Sequence, residues 1–317
     1  MHVAVLGAGA LGSVYGVRLA VRARATVTFV VRPARADSRA PIVIERVKGD
    51  LREELATPAR AAVVPPDADV VLVAVGTEDL DALRRPLGDT QAPIVVLTPM
   101  MPADWARVRA AFGARVLAAM PNVVAYARRQ GGEDVVRYWL PPQPTRIDEP
   151  PAGDAGLAAR ELARRLDDAG IGARLELAVH EANPATTVCF IAVGMAIAVA
   201  GSVDALAADA DLLDTTAQAC REGAGLGRTL GRPEPWAALA PLAAHASTLR
   251  AGFGLLRRLS PEGLFYAEEH FGRKLLEQHR VMAREMAALM RARGLPHAAT
   301  LALAARLEAP SISRREG

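Results

Sequence analysis

The chain has 317 residues, 51% of them apolar and 23% charged. That suffices to bury cores in about two domains and excludes wholesale disorder. Aromatic residues make up only 4%, too few for a surface built on base stacking, and 38 basic residues are interspersed with 35 acidic ones. The net charge of +3 therefore describes a mixed, solvated surface, and no nucleic-acid partner is expected. Two cysteines, Cys189 and Cys220, cannot form a disulfide framework, which points to a reducing compartment, the cytoplasm. The apolar run at 188–200 falls short of the roughly 20 residues that span a bilayer, and the chain opens directly on a strand, so neither a membrane partner nor a leader is expected.

In chain order, short apolar runs at 3–6, 26–31, 70–75, 94–97 and 115–118 read as strands, and the spacing predicts helices over 11–21, 79–87 and 103–112. Alternating strand and helix implies a doubly wound parallel sheet of Rossmann type. The pattern at 123–138 is β without a helix, and prolines at 141–144 and 149–151 then break regular structure. A helix at 155–169 and a strand at 173–177 close a first domain, 1–178. Beyond it nearly everything reads as helix: 188–200, apolar on all sides and therefore internal, then 212–230, 235–249, 266–293 and 298–307. The fold class is thus α/β followed by an all-helical second domain, 179–317, with a loose polar tail at 311–317.

The first strand runs into Gly7-Ala8-Gly9-Ala10-Leu11-Gly12, a G-x-G-x-x-G that opens a helix. Gly7 permits the tight turn, Gly9 lets backbone N–H groups approach a pyrophosphate, and Gly12 lets helix and strand pack closely. The positive end of the helix then faces the phosphates. No acid occurs from Thr26 to Arg35, whereas an NAD-preferring site places one at the end of the second strand. Arg32 stands there instead, and a guanidinium pairs with a 2′-phosphate, so NADP(H) is the expected cofactor. Val75 and Gly76, at the end of the next parallel strand, complete the expected cofactor contacts.

These features together, with Val31-Arg32 after the second strand and a helical second half, resemble the ketopantoate reductase (2-dehydropantoate 2-reductase) family. The similarity covers the chain in outline and is sharpest over about the first 35 residues. It implies an NADPH-binding Rossmann domain, a helical substrate and dimerisation domain with the active site in the cleft between them, and hydride transfer to a 2-keto acid with a lysine as proton donor. The chain differs from the family pattern at three places. Gly76 stands where the family carries a lysine, Thr98-Pro99-Met100-Met101-Pro102 replaces an asparagine-bearing turn, and 183–190 contains no lysine. The expected substrate is therefore 2-keto acid-like but not ketopantoate itself. A catalytically silent NADP-binding sensor and a β-hydroxyacid dehydrogenase-like oxidation are the alternatives, and a homodimer is compatible with this architecture.

Hydride reduction of a carbonyl needs a proton source and a stabilising charge. Lys274 is the only lysine of the second domain, and His270, Lys274, Glu277 and Gln278 share one face if the segment is α-helical. Lys274, with His270 or Glu277 as partner, is the expected catalytic group. Pro99 and Met100, after a parallel strand, offer an adaptable apolar wall to the substrate, and Asn122 offers an amide. Asn183-Pro184 reads as an ordinary helix start and Cys189 as a buried thiol. The six histidines and two cysteines show no metal-ligand spacing, so no metal is expected.

Overall fold

The computed structural model describes residues 1–49, 51–76, 82–150 and 153–309. The chain forms two compact units, Met1–Asn183 and Pro184–Gly317. The division falls inside a helix, Val179–Thr187, a few residues later than the change in periodicity suggests.

The first unit opens with β1 (His2–Leu6), α1 (Ala10–Val21) and β2 (Thr26–Val30). Next come β3 (Ile42–Arg46), β4 (Arg52–Leu55), β5 (Ala59–Ala61) and β6 (Val70–Val73), which the apolar pattern does not announce except for β6. They are followed by α2 (Arg84–Leu87), β7 (Ile94–Val96), α3 (Pro102–Phe112), β8 (Val116–Met120), β9 (Val124–Gln130) and β10 (Glu133–Trp139). The unit ends with β11 (Thr145–Asp148), α4 (Asp154–Asp168) and β12 (Ala173–Glu176). The expected helix over 79–87 lies partly outside the described residues, as do the tail at 311–317 and part of the proline break at 149–151.

The main sheet has the strand order β12-β11-β8-β7-β6-β1-β2-β5 and is parallel except where β11 meets β8. Both faces are covered, so its strands are continuous apolar runs rather than alternating ones. Val70 to Val73 are all fully buried, as are Ile94 to Val96. Chain order reverses between β1 and β6, the switch point at which ligands of open α/β sheets bind, outside the carboxyl ends of the strands. A second sheet, β4-β3-β10-β9, lies over α1. The sequence Arg-Glu-Glu-Leu of β4 has no strand-like pattern of its own. It is held by its register against β3, Ile42 opposite Leu55, and by the buried carboxylate of Glu53, which accepts from Arg18 Nη1 at 2.9 Å and from Arg22 on α1.

The second unit begins within α5 (Val179–Thr187) and is helical throughout its described residues: α6 (Ile191–Ala200), α7 (Val203–Ala208), α8 (Ala210–Leu230), α9 (Pro235–Ala238), α10 (Ala240–Ala243), α11 (Ala246–Leu259), α12 (Pro261–Tyr266), a π-helical segment Ala267–Lys274, α13 (Leu276–Ala292) and α14 (Ala298–Glu308). The apolar run expected as one helix over 188–200 is bent instead. Its first residues leave the helix, and α5 and α6 meet at 41°. At that bend α8 approaches so closely that a Cβ on Gly223 would sit 2.0 Å from the Val188 carbonyl oxygen. α6 is the buried centre of the unit, packed by α8, α14 and the π-helical segment, and no single described helix is long and apolar enough to cross a membrane.

Two further expectations are corrected. The helix over 235–249 is instead two four-residue pieces, α9 and α10, followed by the start of α11; Pro241, which lacks the N–H that would continue the ladder, separates the first two. The helix over 266–293 is π-helical from Ala267 to Lys274 and interrupted at Leu275 (φ −96°, ψ 13°). Far along the chain, α14 is capped by a buried acid from α8. Glu222 accepts from Ala299 N at 3.1 Å, from Thr300 N at 2.9 Å and from Thr300 Oγ1 at 2.8 Å.

Candidate active site

The turn after β1 is the best-defined feature of the sheet's carboxyl edge. Gly7 has φ +103°, and a Cβ there would lie 2.7 Å from the Ala74 carbonyl oxygen, so only glycine fits between β1 and the chain leaving β6. A Cβ on Gly12 would lie 1.9 Å from the Gly7 carbonyl oxygen, which lets α1 start directly against the turn. Gly9 differs from both: it is exposed and a Cβ on it would meet nothing within 4 Å. Gly9 is also the N-cap of α1, with no side-chain cap over the first turn. The result is an open cradle of backbone N–H groups at a helix N-terminus, with room for an anionic group where a side chain would otherwise project. The residues present fit a dinucleotide pyrophosphate.

At the outer end of the same edge, Arg32 follows β2 and is exposed, as is Arg35 in the short 3₁₀ turn after it. Arg60 of β5 stands opposite Phe29 of β2 and donates to the carbonyls of Ser38 at 2.5 Å and Ala40 at 2.7 Å. Burial and the nearby Arg35 charge lower the Arg60 pKa from its ordinary value. Among the described residues no carboxylate pairs with Arg32 or Arg35, so this end is a concentration of unneutralised positive charge.

The loops after β6, β7 and β8 form the other side of the switch point. Ala74 N donates to Leu6 O and Leu97 N to Val73 O, each at 2.9 Å, and the Thr98 hydroxyl donates to Val75 O. Val75, Gly76 and Pro99 are half-buried at this edge. Met100, expected as part of an adaptable apolar wall, is 4% exposed and packs with the sheet core. Asn122 is corrected more strongly. Its Nδ2 donates to Ile171 O at 2.5 Å and its Oδ1 accepts from the Thr145 hydroxyl at 2.8 Å. The amide is committed to bracing the turn after β8, together with Tyr15, whose hydroxyl lies 2.6 Å from Thr145 Oγ1.

Sequence reasoning passed over His180 and Asp148. The β8–β11 ladder stops at Ala119 opposite Ile147, and the side chain of Asp148 accepts the next N–H, from Ala118, at 3.3 Å. The same buried carboxylate accepts from the His180 backbone N at 3.3 Å and faces His180 Nδ1 at 3.0 Å. The His180 ring stacks on Trp105 of α3, centroids 5.1 Å apart and planes 21° apart. Asn183 Nδ2 donates to Ala119 O at 3.2 Å. His180, Trp105, Asn183, Met100 and Ala118 line one narrow crevice. The pairing joins residues 32 positions apart on two elements, so no local motif signals it; a lone histidine at a helix start is the only trace in the sequence.

In the second unit the residues expected to share an α-helical face are divided between the π-helical segment, which holds His270 and Lys274, and α13, which holds Glu277 and Gln278. The π turn and the break at Leu275 change their spacing. His270 stacks on Tyr266, centroids 4.7 Å apart, and meets Phe271 edge-on. Burial, then the charge of Lys274, push its pKa down to about 4, so it is neutral near pH 7. Lys274 is exposed, and Glu277 is exposed and paired with Arg280 at 2.5 Å. His279 is fully buried against Phe271, with neither ring nitrogen hydrogen-bonded, and burial lowers its pKa to about 4. Cys189 and Cys220 are buried thiols raised to about 11 and about 12 by desolvation, which removes them as nucleophiles. Among the described residues no group of acids, histidines and cysteines is arranged to hold a metal.

With this geometry in place, the comparisons with known proteins are direct. The profile of the family described as ketopantoate reductase PanE/ApbA matches residues 3–128. The solved structure of a PanE/ApbA family ketopantoate reductase from Ralstonia eutropha JMP134 is similar with a TM-score of 0.70 at 20% identity, covering 97% of both chains. A 2-dehydropantoate 2-reductase from Geobacter metallireducens GS-15 is similar with a TM-score of 0.68 at 19% identity, covering 97% of this chain and 99% of that one. A D-mandelate dehydrogenase, solved with NADH and anilino(oxo)acetate, is similar with a TM-score of 0.67 at 13% identity over 97% of both. No curated protein sequence matches the chain. Residues 3–128 thus carry the ketopantoate reductase PanE/ApbA domain, and the chain as a whole has the fold of the ketopantoate reductases, a parallel-sheet α/β unit followed by a helical one.

Proposed function

We propose that the protein is an NADP(H)-dependent oxidoreductase that reduces the carbonyl of a 2-keto acid-like substrate other than ketopantoate. The observation that carries this reading is the cradle from Gly7 to Gly12, with its open space at Gly9 and the uncapped start of α1. In it the backbone of Gly7, Ala8, Gly9, Ala10, Leu11 and Gly12 holds the pyrophosphate. Val75 and Gly76 border the dinucleotide at the switch point. Arg32 takes the 2′-phosphate, reinforced by the unneutralised charge of Arg35 and Arg60. The bound cofactor supplies the hydride.

The preference for another substrate than ketopantoate rests on the turn after β7. Pro99 has no N–H to donate, Met100 faces the core, and the amide of Asn122 is spent within the protein. A site with these walls binds a keto acid with a less polar tail more readily than a hydroxylated one. The helical unit serves as the substrate and dimerisation part.

The test is titration of the purified protein with NADPH and with NADH by fluorescence, followed by turnover assays with a panel of 2-keto acids. Tighter NADPH binding with oxidation of NADPH by at least one apolar 2-keto acid is the expected result. Binding without any turnover favours a silent sensor, and no dinucleotide binding overturns the reading altogether.

A further inference from the structure

We propose that His180, oriented by Asp148, is the group that exchanges a proton with the substrate oxygen. This rests on the oxidoreductase reading above and extends it to a residue pair that the sequence pattern does not announce.

The geometry is that of an oriented imidazole. An ionised carboxylate only accepts, so Asp148 at 3.0 Å fixes the proton of His180 on Nδ1 and leaves Nε2 as the working nitrogen. Asp148 is 7% exposed and is itself held by the N–H groups of Ala118 and His180, so it keeps its place. Trp105 fixes the plane of the ring from α3. Ala178, two residues before His180, has φ +58°, a left-handed conformation that an alanine adopts only under strain. The crevice shared with Met100 links His180 to the loop after β7, at the carboxyl edge of the sheet.

The charged groups around the ring are Asp148 from β11, Glu181 of its own helix, whose Oε1 lies 3.9 Å from Nε2, and Arg109 of α3, over the Trp105 ring at 5.6 Å. An imidazole that carries a proton on both nitrogens donates from Nε2 while Nδ1 stays bonded to the carboxylate. In the reducing direction a hydride adds to the carbonyl carbon, the π pair moves to oxygen, and that oxygen takes the proton from Nε2. With the hydride drawn from the reduced cofactor, the substrate becomes an alcohol, and His180 is left neutral, keeping its proton on Nδ1 in the hydrogen bond to Asp148. Oxidation of an alcohol runs the same transfer in reverse.

The test uses the full chain and the variant His180→Asn, whose amide nitrogen stands where Nδ1 stood and so keeps the bond to Asp148 while removing Nε2. The expected result is a fall in kcat of about 100-fold or more, with NADPH affinity within twofold of the parent and an unchanged thermal midpoint. Asp148→Asn, which removes the orienting charge, should lower kcat with KM little changed. Independently of turnover, the ¹⁵N imidazole resonances of His180 should shift when oxamate, a 2-keto acid mimic, is added to the NADP⁺-loaded protein. Undiminished turnover in His180→Asn overturns the proposal, as do a loss confined to Lys274→Ala and His180 resonances that oxamate leaves unmoved. Failure of the parent protein to bind any dinucleotide is read separately, before substrate is added, and overturns the oxidoreductase reading and this inference together.

Discussion

In the proposed reading Arg32 carries the preference for NADP(H), and its surroundings strengthen it. It is exposed, so its charge alone is worth little in water. A 2′-phosphate placed against it also meets the fields of Arg35 and Arg60, and a charge-assisted hydrogen bond of this kind contributes about 1.5–3 kcal/mol. Arg32→Ala should therefore weaken NADPH binding by roughly tenfold to a hundredfold and leave NADH binding nearly unchanged, as read by parallel fluorescence titrations. A proportional loss for both nucleotides would mean that Arg32 supports the loop rather than the phosphate. Arg32 was legible in the sequence because it follows a strand whose end has a known role. Arg60 was not, since only the pairing of β2 with β5 brings it there.

Among the elements, α1 is the one on which the Gly7–Gly12 cradle depends, and its position is set from both sides. On one side Gly16 lets it lie so close to β2 that a Cβ would come within 2.4 Å of the Phe29 ring. On the other, Arg18 and Glu53 form an ion pair at 2.9 Å with both side chains almost fully buried. Removing one partner of a buried pair leaves the other charge uncompensated, which costs about 3–5 kcal/mol. Glu53→Ala should accordingly lower the stability of the first unit by about that amount in urea unfolding. It should also weaken dinucleotide binding even though Glu53 is far from any phosphate in sequence. The double variant Glu53→Leu with Arg18→Met should recover much of the loss, since replacing the whole pair by apolar groups removes the desolvation penalty as well. Periodicity marks α1 clearly and is blind to β4, its partner, because a strand reading Arg-Glu-Glu-Leu is stabilised by what it meets and not by its own pattern.

Across the whole molecule, the helical unit should respond to acid through two imidazoles, His279, which is buried, and His270, which is half-buried. His270 and His279 both have folded-state pKa values lowered to about 4, by burial first, against about 6.5 in an unfolded chain. Between these values the unfolded chain binds more protons, so stability is full above about pH 6.5 and is lost as pH falls toward 4. Each histidine contributes up to about 1.4 kcal/mol per pH unit in that window. Thermal unfolding followed from pH 7.5 to 4.5 should show a falling midpoint that is clearly shallower in His279→Phe, which keeps an aromatic ring against Phe271 and removes the titrating group. An identical slope in that variant would show that the carboxylates dominate the acid response.

The glycine-rich turn after β1, the alternation of strand and helix and the helical second half were determined by the sequence by itself, because each is a local pattern: glycines at fixed offsets, continuous apolar runs for strands buried on both faces, and a 3.6-residue period for helices. The resemblance to ketopantoate reductases rests on the same stretch that the family profile covers. What only the tertiary structure decided are the features made by distant residues meeting. The four-stranded sheet over α1, the commitment of the Asn122 amide to Thr145 and Ile171, and the Asp148–His180 pair all depend on strand register, which no single window of sequence contains. The π turn at Ala267–Lys274 is the reverse case. There the local period suggests an α-helix, and packing of Phe271 against Gly194 and of Gly272 against Ile197 accompanies a wider turn that the spacing does not announce.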